Sequence, residues 1–117
     1  MAKHNDIGKQ GEDLAVDYFA AKGYEILHRN WRKGHWEIDL VLSKNNILHI
    51  VEVKTRTSNK YGYPEEEVTV SKFKYLTSAA EEFLFLYPKW KRIQFDILSI
   101  TLEPELKFFL IEDVYLC

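Results

Sequence analysis

Asp39 is followed, after twelve residues, by Glu52-Val53-Lys54. Two carboxylates and an ammonium thus lie inside apolar, strand-like sequence. Burying a charge is costly unless it is paired or holds a metal. Three such charges in neighbouring strands point to a site rather than to core. Carboxylate oxygens suit a hard divalent ion, Mg²⁺ or Mn²⁺, which keeps several waters and uses few protein ligands. Such an ion would polarise a phosphate and activate a water. The lysine could hold that water or stabilise charge growing on phosphorus. Two acids and an amine are the minimum equipment for metal-assisted phosphodiester cleavage. The bland alternative is a cross-strand ion pair of Asp39 or Glu52 with Lys54 on an exposed sheet face, and such spacings are common.

The elements that must position these residues can be read from periodicity. Residues 6–22 read as a helix, with Ile7, Leu14, Ala15, Tyr18 and Phe19 at helical spacing, Asp6 as N-cap and Gly23 as stop. Gly8, Gly11, Glu12, Ala15 and Phe19 share a stripe. Glycine in a helix costs roughly 1 kcal/mol against alanine, so the two glycines imply close approach to a sheet beside Glu12. Tyr24 to Arg29 reads as a strand and Asn30 to Trp36 as a loop. Glu37 to Leu42 alternates, with Glu37, Asp39 and Val41 on one face. Asn45-Asn46 reads as a tight turn into an antiparallel strand, Ile47 to Lys54. There Leu48, Ile50, Glu52 and Lys54 share a face, because side chains two apart on a strand point the same way. The turn lies midway between Asp39 and Glu52, which can therefore face each other.

Thr55 to Pro64 reads as a loop carrying Arg56, Lys60 and Tyr61-Gly62-Tyr63-Pro64. A second helix spans about Ser71 to Tyr87, with Phe73, Leu76, Ala80, Phe83, Leu84 and Tyr87 as its buried stripe and Pro88 ending it. Ile93 to Ile100 and Lys107 to Ile111 read as strands. The order αβββαββ implies an α/β fold, a mixed sheet flanked by helices.

At 117 residues the chain is most simply one domain, residues 1–117, with one sizeable core. Its single cysteine, Cys117, allows no internal disulfide and fits a reducing compartment. The first residues lack the apolar run of a signal peptide, and no apolar run could cross a bilayer, so the expected place is the cytoplasm and no membrane partner is expected. A net charge of −2 argues against a protein that merely coats nucleic acid. Bases nevertheless gather between residues 28 and 60, and acids elsewhere, notably Glu65-Glu66-Glu67. A basic rim around an acidic metal pocket gives this distribution, as does a solvated mixed-charge surface.

The ordered set Gly8-x-x-Gly11-Glu12-x-x-Ala15, Gly23-Tyr24-x-Ile26-Leu27-x-Arg29-Asn30, Glu37-Ile38-Asp39-Leu40, Val51-Glu52-Val53-Lys54-x-Arg56, Gly62-x-Pro64, Lys72 and Phe95-Asp96 resembles the YraN family of small bacterial proteins. That family resembles the archaeal Holliday-junction resolvases and, more broadly, the PD-(D/E)xK nucleases of restriction-endonuclease fold. The resemblance spans residues 7 to about 100. It implies a restriction-endonuclease-like domain and a metal-dependent endonuclease acting on DNA, with branched or flapped DNA as candidate substrate. Glu12 matches the helix glutamate of the resolvase-like site, Asp39 and Glu52 the metal-binding acids, and Lys54 the catalytic lysine. The implied metal set is Asp39, Glu52 and Glu12, holding Mg²⁺ or Mn²⁺. Arg56 and Lys72 match family positions and read as phosphate contacts, together with Arg29, Arg32 and Lys33. Phosphate contacts of this kind fix register without reading sequence. Two departures stand out. Trp36 replaces the usual glycine before Glu37-Ile38-Asp39, and Ile38 stands where the broader family has proline.

Several features carry two readings. Trp31 and Trp36 interleave with bases, as in nucleic-acid loops where rings stack on bases, but burial over the core is the favoured reading. Glu37 reads as a surface charge ahead of an extra ligand, and Asp96 as a satisfied buried carboxylate ahead of a site member. His4, His28, His35 and His49 lack zinc-ligand spacing, and His49, opposite Glu52's face, reads as structural. Related resolvases act as homodimers, and Phe83 to Trp90 is a candidate dimer surface beside its core role. Two other classes stay open: a non-catalytic nucleic-acid-binding or adaptor module retaining the fold, and a small protein-interaction domain.

Overall fold

The structure, a computed structural model, describes residues 3–58 and 69–114. The segment with Lys60, Tyr61 to Pro64 and the Glu65–Glu67 acids lies outside the described residues, as does Cys117. The elements run α1 (Lys3–Ala21), β1 (Glu25–Lys33), β2 (Trp36–Lys44), β3 (Ile47–Arg56), α2 (Val70–Leu86), β4 (Ile93–Thr101) and β5 (Lys107–Ile111). This is the expected αβββαββ order. The five strands form one sheet in the order β1-β2-β3-β4-β5, antiparallel except for the parallel pair β3–β4. The architecture is compatible with a restriction-endonuclease-like fold.

Each helix buries an apolar stripe against one group of sheet residues. Ala15 and Phe19 of α1 pack with Leu40, Leu42, Val51, Leu98 and Ile100. Ala79, Ala80 and Phe83 of α2 pack with Trp31, Ile38, Val41, Leu48 and Ile50. Fully burying a side chain of Leu or Phe size is worth about 1.5–3 kcal/mol, so these two clusters anchor the sheet. Strand alternation sorts them in β3, where Leu48 and Ile50 go to one cluster and Val51 to the other. The β2–β3 turn is Asn45-Asn46, with φ of 54° and 65°, the left-handed pair that asparagine tolerates and hairpins favour.

The boundaries depart from the sequence reading in informative places. Helix α1 starts three residues before Asp6, which is therefore not its N-cap. Residues 30–33 are strand, not loop, and only Gly34-His35 turn the chain. Gly34, at φ 60°, supplies the turn conformation, so Trp36 need not copy a glycine. It opens β2 and packs on Tyr75, ring centroids 5.1 Å apart. Tyr87 caps α2 and is exposed, not part of the buried stripe, whereas Ala79 is.

Candidate active site

Strand β1 breaks its alternation twice, at Leu27, where the register with β2 shifts between Ile26 and His28, and again at Asn30. Arg29 reaches Glu12 and Asp13 of α1, whereas Trp31, two residues on, packs on Phe83 of α2. Regular pleating would put both on one face. The intervening Asn30 has φ 51°, a left-handed residue that turns the strand over without shifting its register. The β1–β2 register, Arg29↔Leu40 and Trp31↔Ile38, sets Asn30 opposite Asp39. In β2, Ile38 and Leu40 correspondingly join different clusters. Asp39 therefore sits where both strands exchange faces without a change of register, and this reversal re-aims its side chain.

On its other side, regular β2–β3 pairing ends at Leu40↔Val51. One step further the register would set Asp39 opposite Glu52. There the Val53 N–H donates instead to the Asp39 carboxylate, at 2.8 Å. The side chain thus satisfies a backbone donor that the parting strands leave over. Burial, the facing Glu52 charge and, more weakly, Glu37 push the Asp39 carboxyl up to about 7, against the pull of the Val53 hydrogen bond and of Lys72. Glu52 is only 8% exposed. Its Oε2 lies 3.6 Å from Lys54 Nζ and 2.9 Å from Lys72 Nζ.

Lys72 reaches the site from the first turn of α2. Thr69 caps that helix, its Oγ1 accepting from the Lys72 N–H at 3.1 Å. The helix's N-terminal dipole favours the nearby carboxylate as well. Burial pulls the Lys72 ammonium's pKa down, but the Glu52 hydrogen bond together with the charges of Glu52 and Asp39 raises it above the ordinary lysine value.

Two clefts meet at Asp39. The larger, about 960 Å³, has Glu12, Asp39, Lys54, Lys9, Arg32 and Arg56 among its lining residues. The smaller, about 450 Å³, is lined by Glu37, Asp39, Glu52, Thr69, Ser71, Lys72 and Tyr75. Asp39 and Glu37 line both. Lys54 links them, lining the first and pairing with Glu52 of the second. Glu12 and Glu52 do not share a cleft. Among the described residues no three His, Cys, Asp or Glu side chains cluster closely enough to hold an ion together. The pair Asp39–Glu52 is thus the carboxylate centre, with Glu12 across the larger cleft.

The basic residues are distributed unevenly. Arg32 and Arg56 line the larger cleft, and Arg32 pairs with Glu37 at 3.0 Å. Arg29 lines neither cleft and holds Glu12 at 3.2 Å and Asp13 at 2.7 Å. Hydrogen bonding to Arg29 lowers the Asp13 pKa. Lys33 is paired with Glu82 of α2 at 3.0 Å, away from both clefts. Trp31 is core. Asp96 is fully buried, 2.7 Å from His49 Nδ1, and accepts from Gln94 Nε2 and the Asp113 N–H. It is a satisfied carboxylate outside both clefts.

Two contributors escaped sequence reasoning. Lys9 precedes Glu12 by three residues, hence on the same face of α1, and lines the larger cleft. Tyr75 follows Lys72 by the same spacing. Its hydroxyl accepts from the Glu37 N–H at 2.9 Å and donates to the His35 carbonyl at 3.1 Å, pinning the β1–β2 turn to α2. Helical spacing was the available signal in both cases.

A family model described as "Uncharacterised protein family UPF0102" matches residues 11–100. A UPF0102 protein of Bacteroides thetaiotaomicron is 47% identical over 100 residues, covering 86% of this chain and 83% of the relative. One from Flavobacterium psychrophilum is 43% identical over 116 residues, 98% of each chain. One from Chloroherpeton thalassium is 43% identical over 118 aligned residues, 92% of each. The matched span runs from Gly11 at the α1–β3 contact through β4 and includes every residue of the carboxylate centre, and on these grounds the chain belongs to the UPF0102, or YraN, family.

Proposed function

We propose that the protein is a metal-dependent endonuclease that hydrolyses DNA phosphodiester bonds, with branched or flapped DNA as the candidate substrate. The observation that carries this reading is the Asp39–Glu52 pair, two largely buried carboxyls in one cleft with the Lys54 ammonium 3.6 Å from Glu52. Like charges are set together at a cost to the fold, and a divalent cation relieves that cost. The donor set fits Mg²⁺ or Mn²⁺: hard oxygens, few in number, beside open cleft for retained waters. Asp39 and Glu52 would hold the ion, with Glu12 supporting from the larger cleft. When bound, such an ion polarises a phosphoryl oxygen and lowers the pKa of water.

The chain's own residues do the rest. Lys54 stands between the clefts, where its ammonium can orient a water and balance charge developing on the phosphoryl oxygens. Lys9, Arg32 and Arg56 line the larger cleft and offer contacts to flanking phosphates, which position the substrate without reading sequence. Arg29 acts indirectly, holding Glu12 against the sheet.

A specific observation favours a second reading. Glu52 already carries two ammonium partners, Lys54 and Lys72, so its charge is balanced without metal, as in a non-catalytic nucleic-acid-binding module. Plasmid, flap and four-way-junction DNA incubated with the protein and Mn²⁺, Mg²⁺ or EDTA separates the two. Metal-dependent cutting that disappears in Asp39→Ala and Lys54→Met supports the enzyme. Tight binding with no cutting supports the module, and no binding at low salt sinks both.

A further inference from the structure

Lys72 has a chemistry that phosphate contact does not explain. Its Nζ lies 2.9 Å from Glu52 Oε2, closer than Lys54 at 3.6 Å. The Glu52 side chain is nine-tenths buried, and that of Lys72 is one-third exposed. The ammonium reaches the carboxylate from α2, an element separate from the β2–β3 hairpin that carries both acids. It lines the same cleft as Asp39 and Glu52. A cation placed on Glu52 would meet this ammonium at contact distance, where two positive charges repel. One carboxylate oxygen cannot serve both well.

We propose that Lys72 is a built-in competitor for the metal seat: its ammonium balances the Asp39–Glu52 pair in the metal-free protein and must leave Glu52 when a divalent cation binds there. The inference rests on the reading that Asp39 and Glu52 hold the cation. Lys72 is then a positioning residue that sets cation affinity, with Lys54 left to the substrate. The freed ammonium has a short path into the cleft, toward Ser71 and the Tyr75 ring, whose centroid is 5.7 Å from Nζ. There it can meet an incoming phosphate.

The test is Mn²⁺ binding without nucleic acid, followed by the electron paramagnetic resonance signal of free Mn²⁺ at low ionic strength. Lys72→Met should bind Mn²⁺ at least about tenfold more tightly than wild type, the lower end of what a close charge pair contributes. Lys72→Arg should bind like wild type, because the charge is kept. Lys72→Gln serves in place of the methionine variant if circular dichroism shows that one unfolded. Adding Asp39→Asn to Lys72→Met should reverse the gain, which places the ion at the pair. Unchanged or weaker binding in Lys72→Met overturns the competitor role, while Asp39-dependent binding by wild type leaves the metal-dependent reading standing. Should neither wild type nor Lys72→Met bind Mn²⁺ at millimolar concentration, both fall. Binding by Lys72→Met alone supports the competitor role in its strongest form.

Discussion

Asp39 is held by the Val53 N–H and faces Glu52. Its pKa rises from 3.8 to about 7 in the folded chain, so between these values the native state binds the proton more tightly than the unfolded state. The contribution of this group to stability is therefore greatest below about pH 4, falls as pH rises toward 7, and is flat above. Three pKa units correspond to about 4 kcal/mol in the limit, and a cleft open to water reduces that to about 2 kcal/mol. Asparagine keeps an oxygen for the Val53 N–H and removes the charge. Asp39→Asn should therefore stabilise the protein by about 2 kcal/mol at pH 8 and little at pH 4, a pattern that thermal or urea unfolding at both pH values can read. Equal stability at pH 8 would refute the strain. Glu52 and Lys54 were legible because alternation holds in β3, and the two-residue turn sets Asp39 opposite Glu52. The alternation expected of β2 fails, since Ile38 joins Val41 in one cluster and Leu40 and Leu42 the other. The partners of Glu12 and Glu52 were not legible. Arg29 and Lys72 approach from other elements, and nothing local encodes such distances.

At the scale of elements, the two glycines of α1 do different things. A Cβ on Gly11 would fall on the Thr55 side chain, within 2.8 Å of its Cβ. Gly8 has nothing within 4 Å of such an atom and lines the larger cleft. The expectation of close approach thus holds for Gly11 and fails for Gly8. Gly11→Ala should destabilise by about 1–3 kcal/mol through overpacking, while Gly8→Ala should stabilise by up to about 1 kcal/mol through helix propensity. Chemical denaturation of the pair distinguishes this from a general helix effect, which would move both variants the same way. Strand β1 shows where sequence reading falls short. Bases, aromatics and a glycine from Asn30 to Trp36 look like a loop, yet the register holds across Asn30 and the strand continues to Lys33. Asparagine's tolerance of positive φ is a known local signal, but only pairing with β2 decides that Asn30 stays within a strand rather than making a turn.

For the whole molecule, a net charge of −2 coexists with a larger cleft whose lining includes Lys9, Arg32, Lys54 and Arg56. Binding to DNA should then depend on salt through these few cations. A plot of log affinity against log salt should have a slope no steeper than about −4. A slope near zero would remove this cleft as the DNA face, and one beyond about −6 would require a second basic surface. Among the described residues no helix is long and apolar enough to cross a membrane. The element order and mixed sheet were legible from periodicity. The division of the site into two clefts was not, because it arises where β2 and β3 part and α2 fills the gap.

The sheet's one parallel pair, β3–β4, has a consequence for how the chain reaches this state. β1, β2 and β3 are consecutive hairpins, whereas β3 meets β4 only after the chain has crossed over through α2. Short loops close faster than long ones, so Asp39 and Glu52 should come face to face before Lys72 docks. The nascent hairpin carries its repulsion with Lys54 alone as counter-ion. Refolding from urea, followed by stopped-flow fluorescence of the three tryptophans, should therefore be slower with Asp39 ionised, at pH 8, than with it protonated, at about pH 3, in wild type, and less so in Asp39→Asn. A pH-independent rate in wild type would place docking of α2 before closure of the hairpin.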